Sequence, residues 1–243
     1  MHLSARLLKL AAKVPDDAVV ADIGTDHALL PIYLVSSGRC PRAIAVEVAD
    51  GPYQRAKEAI ESFGLSHAID LRLGDGLTVI RPGEVDVVVM AGMGGSQMIA
   101  IMEKSPRVRA SVRRWILQPM RGAAEVRRYL YSQGLWICDE ELARESRHIY
   151  EIIVAEPGHE PIADDIVFEV GPRLIERRDP LLQEVIAERI NIYRRILVQV
   201  ESGSTSRALS ALQEFQDKIR RLGRLAEQLQ QPAQGGRSDE SSI

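Results

Sequence analysis

Asp22, Asp26, Glu47 and Asp75 stand at or just beyond the ends of three apolar runs, and Gly24, Gly74 and Gly76 punctuate the same places. The first run reads Val20-Ala21-Asp22-Ile23-Gly24-Thr25-Asp26-His27-Ala28. A carboxylate before the glycine, with small residues around the turn, lets backbone approach a ligand at a helix N-terminus. The full GxGxxG fingerprint is absent, because Asp26 stands at its second glycine. A carboxylate there repels a pyrophosphate, which argues against NAD. S-adenosylmethionine carries a sulfonium and an ammonium instead, and Asp22 or Asp26 can pair with either.

Glu47, followed by Val48, comes 23 residues after Gly24. That is near the ~20-residue offset at which a carboxylate accepts both ribose hydroxyls. In Gly74-Asp75-Gly76-Leu77 a carboxylate between glycines suits the exocyclic amine of an adenine, although Asp-Gly pairs also make plain turns. Met90-Ala91-Gly92-Met93-Gly94-Gly95 offers backbone and no large polar side chain, and Leu117-Gln118-Pro119-Met120 ends the series. The expected cofactor contacts are Asp22, Gly24, Thr25, Asp26, His27, Glu47, Val48, Asp75, Gly76, Ala91, Gly92 and Met93. No nucleophile–base pair stands out. His27 is expected in the first turn of a helix, where the macrodipole disfavours its cation, and His148 reads as structural. Methyl transfer from a sulfonium to a ring nitrogen needs mainly alignment, desolvation and a lone pair, so no catalytic residue is assigned.

These residues need a scaffold that brings strand ends together. Strands are expected over 18–24, 43–47, 69–73, 85–90 and 115–118, each followed by a helix or a helical segment or a glycine turn. Near-continuous apolar strands alternating with helices indicate a parallel sheet covered on both faces. Two further strands, 136–138 and 148–154, have a charged turn between them and no helix, so they pair antiparallel. The fold class is therefore α/β, a Rossmann-like class I methyltransferase sheet. A helix over 3–13 precedes it. After Glu156-Pro157-Gly158 come a short strand-like run at 166–170, a break at Gly171-Pro172, and two long helical patterns at 180–201 and 206–229. With Ser202-Gly203-Ser204-Thr205 as the turn, these make an antiparallel, coiled-coil-like hairpin. The expected divisions are a cofactor-binding domain at 1–158, a hairpin domain at 159–229 and a disordered tail at 230–243.

The 243 residues carry 31 basic and 34 acidic side chains, a formal charge of −3. Any electrostatic case for nucleic acid must therefore be local. Two cysteines exclude a disulfide framework, and the five histidines show no HxxxH or HxH pairing, so no metal is expected. Arg6, Lys9 and Lys13 interrupt the first apolar stretch, unlike a signal peptide, and no run is long enough to span a membrane. A cytoplasmic monomer is expected.

The runs Ser4-Ala5-Arg6-Leu7, Ala21-Asp22-Ile23-Gly24-Thr25-Asp26-His27-Ala28-Leu29-Leu30-Pro31, Glu47-Val48, Gly74-Asp75-Gly76-Leu77, Ala91-Gly92-Met93-Gly94-Gly95, Leu117-Gln118-Pro119 and Ile149-Tyr150-Glu151-Ile152 occur in order. In this the chain resembles the bacterial tRNA (adenine-22-N1)-methyltransferases, the TrmK family. The resemblance implies methyl transfer from S-adenosylmethionine to N1 of an adenine in tRNA. Two departures bear on base recognition: Met120 stands where the family usually has Asn, and Ser146 follows Glu145 where the family tends to an acidic pair.

Between residues 107 and 147 there are nine arginines against five acidic residues, a local net of +4. Such a patch suits a phosphate backbone. Gln118, Pro119, Arg121, Arg127, Arg128, Arg144 and Arg147 are the expected substrate contacts, with Arg194-Arg195 and Arg220-Arg221-Arg224 as a second grip. A methyltransferase acting on a small molecule, a NAD(P)-binding oxidoreductase and a non-catalytic binding module remain the alternatives at this point.

Overall fold

The computed structural model describes residues 3–162, 164–200 and 206–231. The chain divides into two compact units, Met1–Asp179 and Pro180–Ile243. In the first, β1 (Val20–Ile23), β2 (Ala43–Glu47), β3 (Ile69–Leu73), β4 (Val87–Met93) and β5 (Arg114–Pro119) pair in parallel. β6 (Leu135–Glu145) and β7 (His148–Pro157) complete a seven-stranded sheet ordered β3-β2-β1-β4-β5-β7-β6, with β7 antiparallel to both neighbours. The central strands are apolar on both faces because helices cover both. One layer packs α1 (Ala5–Lys13), α2 (Leu29–Ser36) and α3 (Asp50–Ser62) around Leu10, Ile32, Ala56 and Val89. The other packs α4 (Gly95–Lys104), α5 (Pro106–Ser111) and α6 (Ala123–Ser132) around Met98, Val108, Trp115 and Leu130.

β6 runs well beyond the expected 136–138, through Asp139, Glu140 and Glu141. A carboxylate run reads as a turn in sequence, but here each charge has a partner. Asp139 meets Lys13 at 2.8 Å and Arg177 at 2.5 Å, Glu140 meets Arg127 at 2.7 Å, and Glu141 meets Lys13 at 2.7 Å. The hairpin turn is Ser146-Arg147, with Ser146 at φ 53°. The basic residues of α1 are thus explained by β6, to which they dock the helix.

Residues 159–179 belong with the sheet, so the division falls at Asp179 and not at Gly158. The strand expected at 166–170 is a 3₁₀ helix, Asp165–Glu169, whose first turn is capped by Asp164 accepting from the Ile166 N–H at 3.0 Å. It puts Phe168 into the core beneath α6, and Glu169 accepts from Arg128 Nη2 at 2.5 Å. Gly171-Pro172 breaks nothing: Pro172 opens the short helix α7 (Pro172–Arg177), where its fixed φ suits the first turn.

In the second unit α8 (Leu182–Val200) and α9 (Ser206–Gln230) lie antiparallel. The Tyr193 and Phe215 rings are 5.3 Å apart, and Gln183 Nε2 donates to the Ala226 carbonyl at 3.0 Å, so the partner number falls as the residue number rises. The expected turn at 202–205 and the tail beyond 231 lie outside the described residues. Among the described residues no helix is long and apolar enough to cross a membrane.

Candidate functional site

The carboxyl ends of the five parallel strands converge at the β1/β4 boundary, from which the chain winds outward in both directions. That crevice is where open α/β sheets hold their ligands. A cavity of about 270 Å³ opens there, lined by Arg6, Asp22, Thr25, Asp26, His27 and Ala91 among others. The first three strand ends are laced together by backbone. The Gly24 N–H donates to the Val46 carbonyl at 2.9 Å and the Gly74 N–H to the Glu47 carbonyl at 2.7 Å. Gly24 turns at φ 76°, a conformation that L side chains rarely adopt, so the turn from β1 favours glycine; a Cβ there would also press on the mobile end of Met93 at 3.0 Å.

Asp22 and Glu47 are each only 6% exposed. Asp22 Oδ2 accepts from Thr25 Oγ1 at 2.7 Å. Burial pushes the Asp22 carboxyl up to about 6, the Thr25 hydroxyl offsets part of this, and the nearby Glu47 charge adds to it. Glu47 Oε1 accepts from the Asp26 N–H at 2.6 Å, and Oε2 from the Val48 N–H at 3.2 Å. Two buried carboxylates close enough for the Glu47 charge to act on Asp22 make a site that favours a cationic ligand. Val48 and Leu73 flank Glu47 as exposed apolar side chains, at 66% and 48%. They offer apolar faces to a planar ring. A sulfonium, a ribose and an adenine therefore suit the residues present, which is the donor set that S-adenosylmethionine requires.

Three expected contacts have local surroundings that the sequence did not show. Asp26 turns its carboxylate to Arg55, at 2.8 Å, so its charge is already offset and it caps no helix. His27 lies in the turn before α2, which starts at Leu29, and not in its first turn; its Nε2 is 3.6 Å from Asp26 Oδ2. Asp75 meets Lys104 at 2.5 Å on the rim, half exposed, and Gly76 opens a 3₁₀ turn (Gly76–Val79) over Ile101. Ala91, Gly92 and Met93 end β4 with a bulge, the register skipping between Ala91 and Met93. Gly95 answers to packing: a Cβ there would come within 2.5 Å of the Gly122 carbonyl at the start of α6.

On the acceptor side, Gln118 is fully buried and its Oε1 accepts from Arg6 Nη1 at 2.5 Å. Pro119 is buried beside it, Met120 is 54% exposed, and Arg121 is exposed at the mouth. Because β6 and β7 continue past the end of β5, their hairpin carries exposed Arg144, on β6, and Arg147, on the turn, beyond the carboxyl edge of the sheet.

Residues 3–153 match the family model of a methyltransferase domain. The Bacillus subtilis tRNA (adenine(22)-N(1))-methyltransferase is 35% identical over 228 residues, which cover 91% of this chain and 96% of that one. The chain belongs to the tRNA (adenine-22-N1)-methyltransferase family. The crystal structure of the B. subtilis M1A22 tRNA methyltransferase TrmK superposes with a TM-score of 0.86 at 34% identity, covering 93% of this chain and 99% of that one. Streptococcus pneumoniae Sp1610, solved in complex with S-adenosyl-L-methionine, gives a TM-score of 0.78 at 33% identity, covering 93% and 100%.

Within this family fold the nine arginines of 107–147 do not form one patch. Arg127 has no exposed side chain: it is held by Glu140 at 2.7 Å and Glu151 at 2.8 Å, and its Nη1 donates to the Phe168 carbonyl. Burial works against its charge, but the two carboxylates more than compensate, so it stays a cation. Arg127 therefore binds the protein's own carboxylates and cannot reach a substrate. Arg128 is spent largely on buried Glu169. Arg113 and Arg114 lie at the amino edge, against Asp86 and Glu156. Arg121, Arg144 and Arg147 remain exposed at the carboxyl edge. The residue that sequence reasoning missed is Arg6. It sits in a family-like run, but a basic residue on an amphipathic helix gives no sign of which element it meets.

Proposed function

We propose that this chain transfers the methyl group of S-adenosylmethionine to N1 of adenine 22 in tRNA. The observation that carries this reading is the buried Asp22–Glu47 pair at the carboxyl edge of a chain alignable almost end to end with the B. subtilis enzyme. Bound in the cleft, S-adenosylmethionine supplies a sulfonium-activated methyl group. Glu47, pre-oriented by two backbone N–H groups, accepts the ribose hydroxyls, and Asp75 accepts the adenine amine once it parts from Lys104. Asp22 faces the cationic end. Thr25, Gly24 and the Ala91–Met93 bulge shape the cavity floor.

Adenine N1 has its own lone pair, so no side chain must remove a proton before transfer. The chain's task is to exclude water and align the ring. N1 is normally paired or stacked, and exposing it costs a few kcal/mol. Phosphate contacts by Arg121, Arg144 and Arg147, with exposed Arg194, Arg195 and Arg224 of the second unit, repay that cost. Tyr193, Phe215 and their neighbours hold the helices that carry this second set. This activity belongs in the cytoplasm, with the monomer as the working unit.

The test is incubation of the full chain with transcribed tRNA and methyl-labelled S-adenosylmethionine. A reverse-transcription stop should map the label to position 22, because a methyl on N1 blocks base pairing. Label entering a small-metabolite pool, with none in tRNA, would overturn the reading.

A further inference from the structure

Gln118 is held unevenly. Its carbonyl oxygen accepts from Arg6 Nη1 at 2.5 Å, while its amide nitrogen, with two N–H donors, reaches among the described residues only Met120 Sδ at 3.7 Å. A thioether is a weak acceptor, and a fully buried amide N–H₂ with no better partner is costly. Met120 is more than half exposed, so a stronger acceptor can displace it without disturbing the core. Gln118 is the register partner of Ala91, and paired residues project from the same face of a sheet. Ala91 and Arg6 both line the cavity that Asp22 and Thr25 line. The under-satisfied donor therefore lies beside the cleft, on its face of the sheet.

Arg6 in turn is held by Glu145 and Tyr150. Its backbone N–H donates to Glu145 Oε1 at 2.7 Å, and its guanidinium lies over the Tyr150 ring at 5.2 Å from the centroid. Its Nε is buried without a hydrogen bond, 3.9 Å from Glu145 Oε2. An amide can flip between its oxygen and its nitrogen, and a guanidinium, which only donates, permits one of the two orientations.

We propose that Arg6 is a positioning residue for the methyl acceptor: it locks the Gln118 amide so that its N–H₂ is presented to a ring acceptor of the target purine. This deepens the reading above and rests on it. Glu145 balances the Arg6 charge, which matters because the base becomes cationic as the methyl group arrives. The Gln118 donor must meet a ring nitrogen other than N1, whose lone pair is used in the transfer.

The test compares R6A, R6K, Q118A, Q118E and R6A/Q118A in the full chain, by steady-state methylation of tRNA and by calorimetry with S-adenosylmethionine. Q118E keeps an acceptor for Arg6 and the side-chain shape but has no N–H. Each of R6A, Q118A and Q118E should lower kcat on the order of tenfold to a hundredfold. KM for tRNA should stay within about twofold, because phosphate contacts carry most of its affinity, and so should cofactor affinity, because the ribose and adenine are held by Glu47 and Asp75. R6K keeps one donor and should recover part of the kcat lost by R6A. R6A/Q118A should be no worse than the poorer single variant, since one residue acts through the other. Multiplying effects in the double variant, full activity in Q118E, or cofactor affinity falling in step with kcat would overturn the proposal. Failure of the unaltered chain to methylate tRNA would instead sink the functional reading beneath it.

Discussion

Arg127 Nε donates to Glu140 Oε1 at 2.7 Å, and neither side chain has any exposed surface. Glu140 also accepts from the Arg173 N–H at 2.9 Å, so this one pair ties α6, β6 and α7 together. Replacing Arg127 by Met leaves Glu140 and Glu151 without their cation. Loss of one partner of a buried pair costs about 3–5 kcal/mol, and urea unfolding should show that loss. The salt slope of tRNA binding should not change, because Arg127 cannot reach a phosphate. A reduced slope with unaltered stability would return Arg127 to the substrate surface.

Glu47 is the acceptor through which the cofactor site should be most sensitive. Glu47→Ala removes a charged acceptor of two hydroxyls and the partner of the Asp26 N–H. Affinity for S-adenosylmethionine should fall about ten- to a hundredfold, or roughly 1.5–3 kcal/mol, by calorimetry. Unchanged affinity would refute the assignment.

Asp22 makes stability and binding depend on pH in opposite senses. Its carboxyl is raised from 3.8 to about 6, chiefly by burial. The folded chain therefore holds a proton that the unfolded chain has released between those values. This contribution is fully present below about 3.8 and is lost as pH rises through 6, up to about 3 kcal/mol for a shift of about two units. A cationic ligand prefers the ionised form, so S-adenosylmethionine affinity should rise from pH 5 to pH 7.5 with an inflection near 6. Asp22→Asn should abolish that inflection and raise the ligand-free melting temperature at pH 7.5. Retention of the inflection in the Asn variant would assign it elsewhere.

Where the chain is cut should decide what survives. A chain ending at Asp179 keeps Phe168, the Arg128–Glu169 pair and the hydrogen bond from Arg173 to Glu140. It should bind S-adenosylmethionine like the full chain and lose most tRNA methylation. A chain ending at Gly158 forfeits all three. Loss of the Phe168 packing alone costs about 3–5 kcal/mol, so its thermal transition should fall sharply. Full tRNA methylation by the chain ending at Asp179 would confine the helical hairpin to folding or assembly.

Arg144 and Arg147 at the tip of the β6–β7 hairpin should act on tRNA and not on the cofactor. Replacing both with Ala should weaken tRNA binding about equally across sequences. The slope of log affinity against log salt should flatten by about 0.7–0.9 for each phosphate that is no longer neutralised. An unchanged slope would show that the turn faces away from the RNA.

The alternation of apolar runs with helical segments in the first 155 residues determined the parallel sheet and its antiparallel closing pair. A strand buried on both faces must be apolar throughout, and that leaves a mark in sequence. The same logic placed Asp22, Glu47, Asp75 and Gln118 on one edge, since a residue ending a parallel strand lies there whatever surrounds it. Sequence could not assign partners to charges. Nine arginines within 41 residues looked like one basic surface, yet Arg127 is interior, Arg113 and Arg114 lie at the opposite edge, and Arg121, Arg144 and Arg147 are the ones exposed beyond the carboxyl ends of the strands. Nor could it see that Asp139, Glu140 and Glu141 continue a strand, because the cations that permit this come from α1, α6 and α7, up to 132 residues away. Arg6 shows the same limit at the site itself: its neighbour Gln118 is 112 residues distant, and only the folded sheet brings the two together.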